Sequence, residues 1–265
     1  MLDIIYEDKY ILAVHKPVGI PSQTAKISQS DVVCITEDYL RKKTVPKGRP
    51  YVGMINRLDQ PVEGIVLMGL DPKTTAGLTA QLREGKISKK YLAGVLPADK
   101  AWPNDKESGS GVITLTGHIF HDKKNNFSQV VSKDHKDGKY AELKYELVDR
   151  VKIDIPDKTK APDAGSDLAS EGKVANMDQT YIALADIELI TGRHHQIRVQ
   201  MANAGLPLLG DKKYAPEYVQ NVSKLLNLPG VALCAYQLHF THPVTNDIID
   251  LRVEPQGEWY SFFKN

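Results

Sequence analysis

The sequence predicts an α+β fold with a central mixed sheet. Apolar runs of strand type recur along the whole chain, at residues 3–14, 52–55, 65–68, 87–96, 112–119, 139–148, 181–190 and 231–240. Helical patterns fall between them irregularly, so the regular strand–helix alternation of a parallel α/β sheet is missing. A chain of 265 residues can bury a full core. Its 42% hydrophobic and 25% charged residues are those of an ordinary globular protein.

Residues 3–14 read as a strand, a tight turn and a second strand, after which Pro17, Gly19 and Pro21 force a loop. Residues 31–43 read as a helix with Val32, Val33, Ile35 and Leu40 as its apolar positions, and a basic loop over 42–50 leads to the next strand. Asp71-Pro72 is a helix start: an acid at the N-cap, then a proline whose missing N–H is no loss in the first turn; Gly85 ends that helix. Residues 87–96 form a strand carrying Tyr91. Residues 112–119 and 139–148 are two strands around a polar, lysine-rich turn, with His118 and His121 on opposite faces and so unsuited to a shared metal. Residues 156–179, with almost no bulky apolar side chain, are expected to be a mobile insertion within a single domain spanning 1–265. A strand at 181–190 leads into a helix from His194, on which Ile197, Met201 and Ala204 share the buried face and Gly205 ends the run. On that helix His194 and His195 would diverge by about 100°, a poor metal pair. A short helix at 221–228 precedes the strand at 231–240.

Composition narrows the function classes. No apolar run reaches the ~18 residues of a membrane span. The acidic start MLDIIYEDKY enters a strand directly, so no signal peptide is expected. Cys34 and Cys234 make neither a disulfide framework nor a metal-ligand spacing, which suggests a cytoplasmic chain without a bound metal. The net charge is only +1, but positive charge is local. Arg41, Lys42, Lys43, Lys47 and Arg49 precede residues 51–70, and Arg83, Lys86, Lys89 and Lys90 follow them, as the flanks of a phosphate-binding cleft would.

Residues 51–70, YVGMINRLDQPVEGIVLMGL, set one acid, Asp59, in a polar break between two strands. Pro61 cannot donate to a sheet and Gly64 permits unusual backbone angles, so the break is a turn at a sheet edge, where chemistry is often sited. Taken alone, Arg57 and Asp59 read better as a hairpin whose acid and base pair with each other than as a catalytic group. Residues 187–214, IELITGRHHQIRVQMANAGLPLLGDKKY, change the balance. N-R-L-D with its following glycine, T-G-R-x-H-Q-I-R and G-x-P-x-x-G-D-x-x-Y together resemble the RluA-type pseudouridine synthase family. Thr191, Gly192, Arg193, His195, Gln196, Ile197 and Arg198 are in place, as are Gly205, Pro207, Gly210, Asp211 and Tyr214. YEDKYILAVHKPVGIPSQ, SKKYLAGV and LHFTHP resemble the family's opening, tyrosine-bearing and closing segments. The departures lie in the acid motif, Asn56 for the usual His and Val62-Glu63 for Thr-Ser, and bear on substrate preference more than on catalysis.

The resemblance implies a largely antiparallel sheet flanked by helices and loops, a monomer, no cofactor, and rRNA or tRNA as substrate. Asp59 would be the carboxylate that attacks or stabilises ribose C1′ while uracil leaves through N1 and rejoins through C5. Arg198 would offset its charge in a dry pocket, with Arg193 the next candidate. Tyr91 would offer a ring for uracil and a hydroxyl as base at C5. The target base must be extruded from the RNA stack, and Arg57 would fill the gap or hold the flipped nucleotide. Ile197 and Met201 would wall the pocket, Arg193 would hold phosphate, and His195 and Gln196 complete the substrate-binding set. Target choice would rest on the catalytic domain, since no amino-terminal RNA-binding domain is expected. Two other readings stand beside this one. The chain is an RNA-binding protein of the same fold whose catalysis has decayed, or a carboxylate-dependent glycosidase, for which Glu63 is the nearby second acid.

Overall fold

The computed structural model describes residues 2–24, 29–43, 48–97, 111–156 and 177–264. Its frame is one eleven-stranded sheet. The strands are β1 (Asp3–Glu7), β2 (Ile11–Lys16), β3 (Gly53–Met54), β4 (Glu63–Gly69), β5 (Ser88–Val95), β6 (Ile113–Asp122), β7 (Phe127–Val131), β8 (Lys139–Pro156), β9 (Met177–Leu189), β10 (Leu233–Thr241) and β11 (Ile248–Arg252). Helices α1 (Val32–Lys43), α2 (Pro72–Arg83), α3 (Gln196–Asn203) and α4 (Glu217–Leu225) pack around it, and a 3-10 helix, Glu258–Phe263, follows β11. The order across the sheet is β1-β2-β4-β10-β5-β9-β8-β6-β7, with β3 beside β4 and β11 beside β10. Every pairing is antiparallel except β4 with β10, so the sheet is mixed and largely antiparallel, as expected.

Side chains alternate across a strand, so each central strand feeds two cores. One face carries Leu12, Val14, Val66, Met68, Tyr91, Ala93, Leu233 and Ala235, covered by Val32 of α1 and by Ile197 and Met201 of α3. The other carries Ile11, Ala13, Ile65 and Leu67 with Leu78 of α2, and Cys234 with Val219 and Val222 of α4. A fully buried aliphatic side chain contributes about 1.5–3 kcal/mol, and β2 and β4 are buried from end to end. Strands solvated on neither face read as continuous apolar runs, which is why both were legible.

The single parallel contact is brief: Glu63 and Gly64 meet Cys234 and Ala235, after which the strands diverge. β3 then continues beside β4, and β11 beside β10. Gly64 permits the contact. Its φ is +124°, and a Cβ there would overlap the backbone N and O of Ala235.

Several boundaries differ from expectation. The turn after β6 contains a further strand, β7, whose short F-S-Q-V-V pattern is masked by flanking polar residues. β11 and the 3-10 helix were also unforeseen. β8 and β9 run on through Pro156 and from Met177, so both ends of the segment expected to be mobile are strand; 157–176 lie outside the described residues. α4 starts at Glu217, before the expected 221. α2 begins as expected, with Asp71 accepting from Thr74 N at 2.9 Å.

Candidate active site

The Asp59 loop joins β3 to β4 and is held at nearly every residue. Asn56 spans its base: Nδ2 donates to Ile65 O at 2.9 Å, and Oδ1 accepts from Leu67 N at 2.8 Å. The asparagine that departs from the family pattern therefore closes the loop like an extra ladder pair. Ser22 Oγ accepts from Leu58 N at 2.9 Å and donates to Leu58 O at 2.8 Å. Val62 N donates to Asp59 O at 3.0 Å, and Pro61 O accepts from Val231 N at 2.9 Å. Lys16, 0% exposed, lies beneath. Its Nζ donates to the carbonyls of Pro17 (3.0 Å), Ile20 (2.8 Å) and Gln60 (3.3 Å), tying two loops together. Burial pushes its pKa down to about 8, and the charges of Asp59 and Glu63 partly offset the fall.

The second stretch forms a clamp before α3. Gln196 Oε1 accepts from Thr191 Oγ1 (2.8 Å) and Arg193 N (2.9 Å), while Nε2 donates to Glu142 O (3.0 Å). His195 takes the left-handed conformation, φ 54°, which is uncommon for a residue with a Cβ and recurs at functional sites. The helix therefore starts at Gln196, and the expected 100° divergence of His194 and His195 does not occur. Their rings instead lie 3.6 Å apart, and His194 stacks on His121 at 3.7 Å.

These two elements meet at Asp59, whose side chain is 28% exposed. Arg198 Nη1 donates to Asp59 Oδ2 at 2.8 Å. The same guanidinium donates through Nε and Nη2 to both oxygens of Asp211, each at 2.8 Å, and sits 5.1 Å from the Tyr214 ring. The expected pair is therefore a triad, with the buried Asp211 holding two of the arginine's three bonds. Burial opposes charge on Arg198, but Asp211 and then Asp59 outweigh it and raise the pKa. On the other side His195 Nε2 faces Asp59 Oδ2 at 3.3 Å, and His195 Nδ1 lies 2.6 Å from Tyr214 Oη. Tyr214 Oη accepts from Ser128 N at 2.9 Å; because a carboxylate oxygen only accepts, the tautomer that suits both ring contacts has Nε2–H toward Asp59 and Nδ1 accepting from Tyr214 Oη. Burial holds His194 and His195 down to about 4 in pKa despite the nearby Asp59; both are neutral at neutral pH.

Asp59 opens into a cleft of about 1,200 Å³, where it is the only carboxylate among the lining residues. Arg57, Arg83, Lys89, Arg193, Lys212 and Lys213 surround it. Tyr91 and Ile197 line it too. Tyr91 is 7% exposed, and burial raises its pKa, with Asp59 adding to the rise. The phenol is accordingly protonated at neutral pH, which counts against a phenolate base at C5.

Several expectations are corrected. Met201 is 0% exposed in the core and does not line the cleft. Gln196 lines it, but its amide is engaged by the clamp. Arg193 reaches the cleft while its Nε donates to Tyr140 O at 2.7 Å. Arg57 is exposed there. Of the first basic cluster, Arg41, Lys42, Lys43 and Arg49 are not in the cleft lining; Arg41 pairs with Asp38, Lys43 with Glu7 and Arg49 with Glu37. Lys47 lies outside the described residues. Of the second cluster, Arg83 and Lys89 line the cleft, whereas Lys86 pairs with Glu84 and Lys90 with Asp186. Glu63 faces the other side of the sheet, where Gln256 N, Gly257 N and Trp259 Nε1 donate to it.

Sequence reasoning gave no individual role to Lys16, Lys89 or His194. Lys89 had a signal: two residues before Tyr91 on one strand, it shares that residue's face. It is 8% exposed, and burial lowers its pKa.

Residues 10–203 match the family model described as RNA pseudouridylate synthase. The chain is similar to the ribosomal large subunit pseudouridine synthase C of Buchnera aphidicola subsp. Schizaphis graminum, 26% identical over 264 residues that cover 99% of this chain and 70% of that one. It is also similar to the dual-specificity RNA pseudouridine synthase RluA of Escherichia coli (strain K12), 27% identical over 245 residues covering 91% and 88%. Among solved structures, Human RNA Pseudouridylate Synthase Domain Containing 4 shares the fold, with a TM-score of 0.64 at 18% identity over 96% of this chain and 89% of that chain.

Proposed function

On the premise that the chain belongs to the RNA pseudouridylate synthase family and is an RluA-type isomerase of uridine in RNA, we propose that Asp59 is its nucleophile. The observation that carries this is the isolation of Asp59 as the one carboxylate among the described residues lining a cation-ringed cleft, aligned by Arg198 and faced by a neutral His195. The substrate is structured rRNA or tRNA. Its phosphates lie against Arg57, Arg193, Lys212 and Lys213, and the target uridine is extruded into the cleft.

An Asp59 oxygen attacks C1′ as the C1′–N1 bond breaks, giving a glycosyl ester and a uracil anion. The base turns against the Tyr91 ring, walled by Ile197. C5 then attacks C1′ and displaces the Asp59 carboxylate. That carboxylate, or a water beside it, takes the C5 proton, and N1 regains one. Tyr91 contributes its ring and a hydroxyl donor, in keeping with its raised pKa. Every step is charge-balanced within substrate and side chains. The chain acts as a monomeric single domain in the cytoplasm; no helix among the described residues is long and apolar enough to cross a membrane. The glycosidase reading lacks support, because Glu63 is 2% exposed and faces away from the cleft. The decayed-binder reading is opposed by the assembled Asp59, Arg198 and Tyr91.

Asp59→Asn keeps the shape and removes the nucleophile. It should fold, bind RNA as the wild type does, and lose turnover by about three orders of magnitude or more. The assay is tritium release from C5-labelled rRNA and tRNA. More than a tenth of wild-type activity would refute the assignment.

A further inference from the structure

The sheet face away from the cleft holds a buried group that the isomerase reading does not use. His15 on β2, Glu63 on β4 and Cys234 on β10 come from three neighbouring strands. Cys234 is the register partner of Glu63, and His15 pairs with Ile65, two residues along β4 on the same face. Their exposures are 4%, 2% and 0%. One nitrogen, oxygen or sulfur from each lies within 4.8 Å of the others. Glu63 is already oriented by three donors, Gln256 N at 2.9 Å, Gly257 N at 3.0 Å and Trp259 Nε1 at 3.2 Å. His15 Nε2 is different. It is buried and makes no well-formed hydrogen bond among the described residues; its nearest acceptor, Glu63 Oε2 at 3.4 Å, is a long ion-pair contact. A buried polar nitrogen is rarely left without a partner, and this one lies within a carboxylate and thiol group.

We propose that His15, Glu63 and Cys234 bind one Zn²⁺. Imidazole nitrogen, carboxylate oxygen and thiolate sulfur are the mixed donor set zinc accepts, whereas magnesium and calcium gain nothing from a thiolate. Thiolate and carboxylate together cancel the dication's charge, so the buried site is neutral once loaded. The three backbone and indole donors on Glu63 supply the outer hydrogen bonds that orient a metal-binding carboxylate. A cavity of about 690 Å³ has His15, Gln256 and Gly257 in its lining, so it approaches the group on the His15 side, whereas Glu63 and Cys234 lie behind that lining. The ion would join β2, β4 and β10 and, through Glu63, fasten the turn at 256–259 to the sheet. The expectation that this chain binds no metal considered only spacing along the sequence; these ligands converge through strand pairing. The site does not depend on the chemistry assigned to the cleft.

The test uses the full chain carrying Cys34→Ser, because Cys34 is an exposed free thiol. The protein is stripped with a chelator, dialysed and titrated with zinc chloride by calorimetry. One Zn²⁺ per chain should bind, and Tm should rise by about 5–10 °C at a hundredfold excess over Kd. Co²⁺ in place of Zn²⁺ should show a thiolate-to-cobalt charge-transfer band. His15→Ala and Cys234→Ala should each abolish stoichiometric uptake and the Tm rise. If His15→Ala does not fold, Cys234→Ala, the smaller change, still decides. Absence of stoichiometric uptake by the parent chain, uptake unchanged by Cys234→Ala, or a cobalt complex without the thiolate band would each overturn the proposal.

Discussion

Replacing Arg198 by Met tests the electrostatics of the site, because the two acids it joins differ so much in burial. Asp211 is 1% exposed at its side chain and holds the guanidinium with two bonds of 2.8 Å. Asp59 holds it with one bond of 2.8 Å and is 28% exposed. Removing one partner of a buried pair costs about 3–5 kcal/mol, because the remaining charge is stranded. Asp211 keeps backbone N–H bonds from Lys213 (2.9 Å) and Tyr214 (3.1 Å), which places Arg198→Met near the lower end, about 3 kcal/mol. For a chain of this size that is a Tm drop of roughly 6–12 °C. Adding Asp211→Asn should recover most of the loss, since no charge is then stranded. Adding Asp59→Asn should recover about 1 kcal/mol or less, because water already solvates that carboxylate. Urea unfolding followed by circular dichroism on all single and double variants gives both coupling energies. A coupling of Arg198 to Asp59 as large as its coupling to Asp211, or a cost below about 1 kcal/mol for Arg198→Met, would refute the reasoning.

Two further outcomes follow from the same geometry. His194 and His195 titrate near 6.5 when unfolded but near 4 in the fold. The unfolded chain therefore binds more protons between those values, and their contribution to stability is complete above about pH 6.5 and lost as pH falls toward 4. Replacing both histidines by Gln should flatten the urea midpoint across that window, and an unchanged slope would show that other groups cause it. Asn56→Ala removes both bonds across the base of the Asp59 loop. It should cost about 1–3 kcal/mol and lower kcat more than it raises KM, because the carboxylate is less firmly placed; wild-type kinetics would mean that the loop holds without it.

How much was legible depended on whether the signal was local. The helix start at Asp71-Pro72, the buried strands β2 and β4 and the stop at Gly205 are written in neighbouring residues, and all occur where expected. The link from Asp59 to Arg198 was legible only because each lies in a recognisable stretch and the chemistry requires a cation. The share taken by Asp211 was not, although the residue stood in the quoted motif, because a motif does not say which oxygen faces which nitrogen. The left-handed turn at His195 also escaped, since a residue with a Cβ carries no conformational mark of the kind glycine does. Charge runs misled in one instance: Arg41, Lys43 and Arg49 are basic in sequence but meet Asp38, Glu7 and Glu37 in space. Glu63, read from proximity as a second acid for the cleft, turned to the far face because one step along a strand reverses direction.

The position of β10 between β4 and β5 has a consequence for how the protein is made on the ribosome. Synthesis delivers β4 and β5 early, yet their shared neighbour only after residue 233. Until then both strands present unpaired edges lined by apolar side chains, the condition under which partly made chains pair with one another. The nascent protein is thus two half-sheets awaiting one late strand, and Pro61 O and Gly64 wait with them for Val231 and Ala235. The Asp59 loop is completed only when that strand arrives. Chains stopped before β10 should be recognised by chaperones or aggregate, rather than persist as weak enzymes.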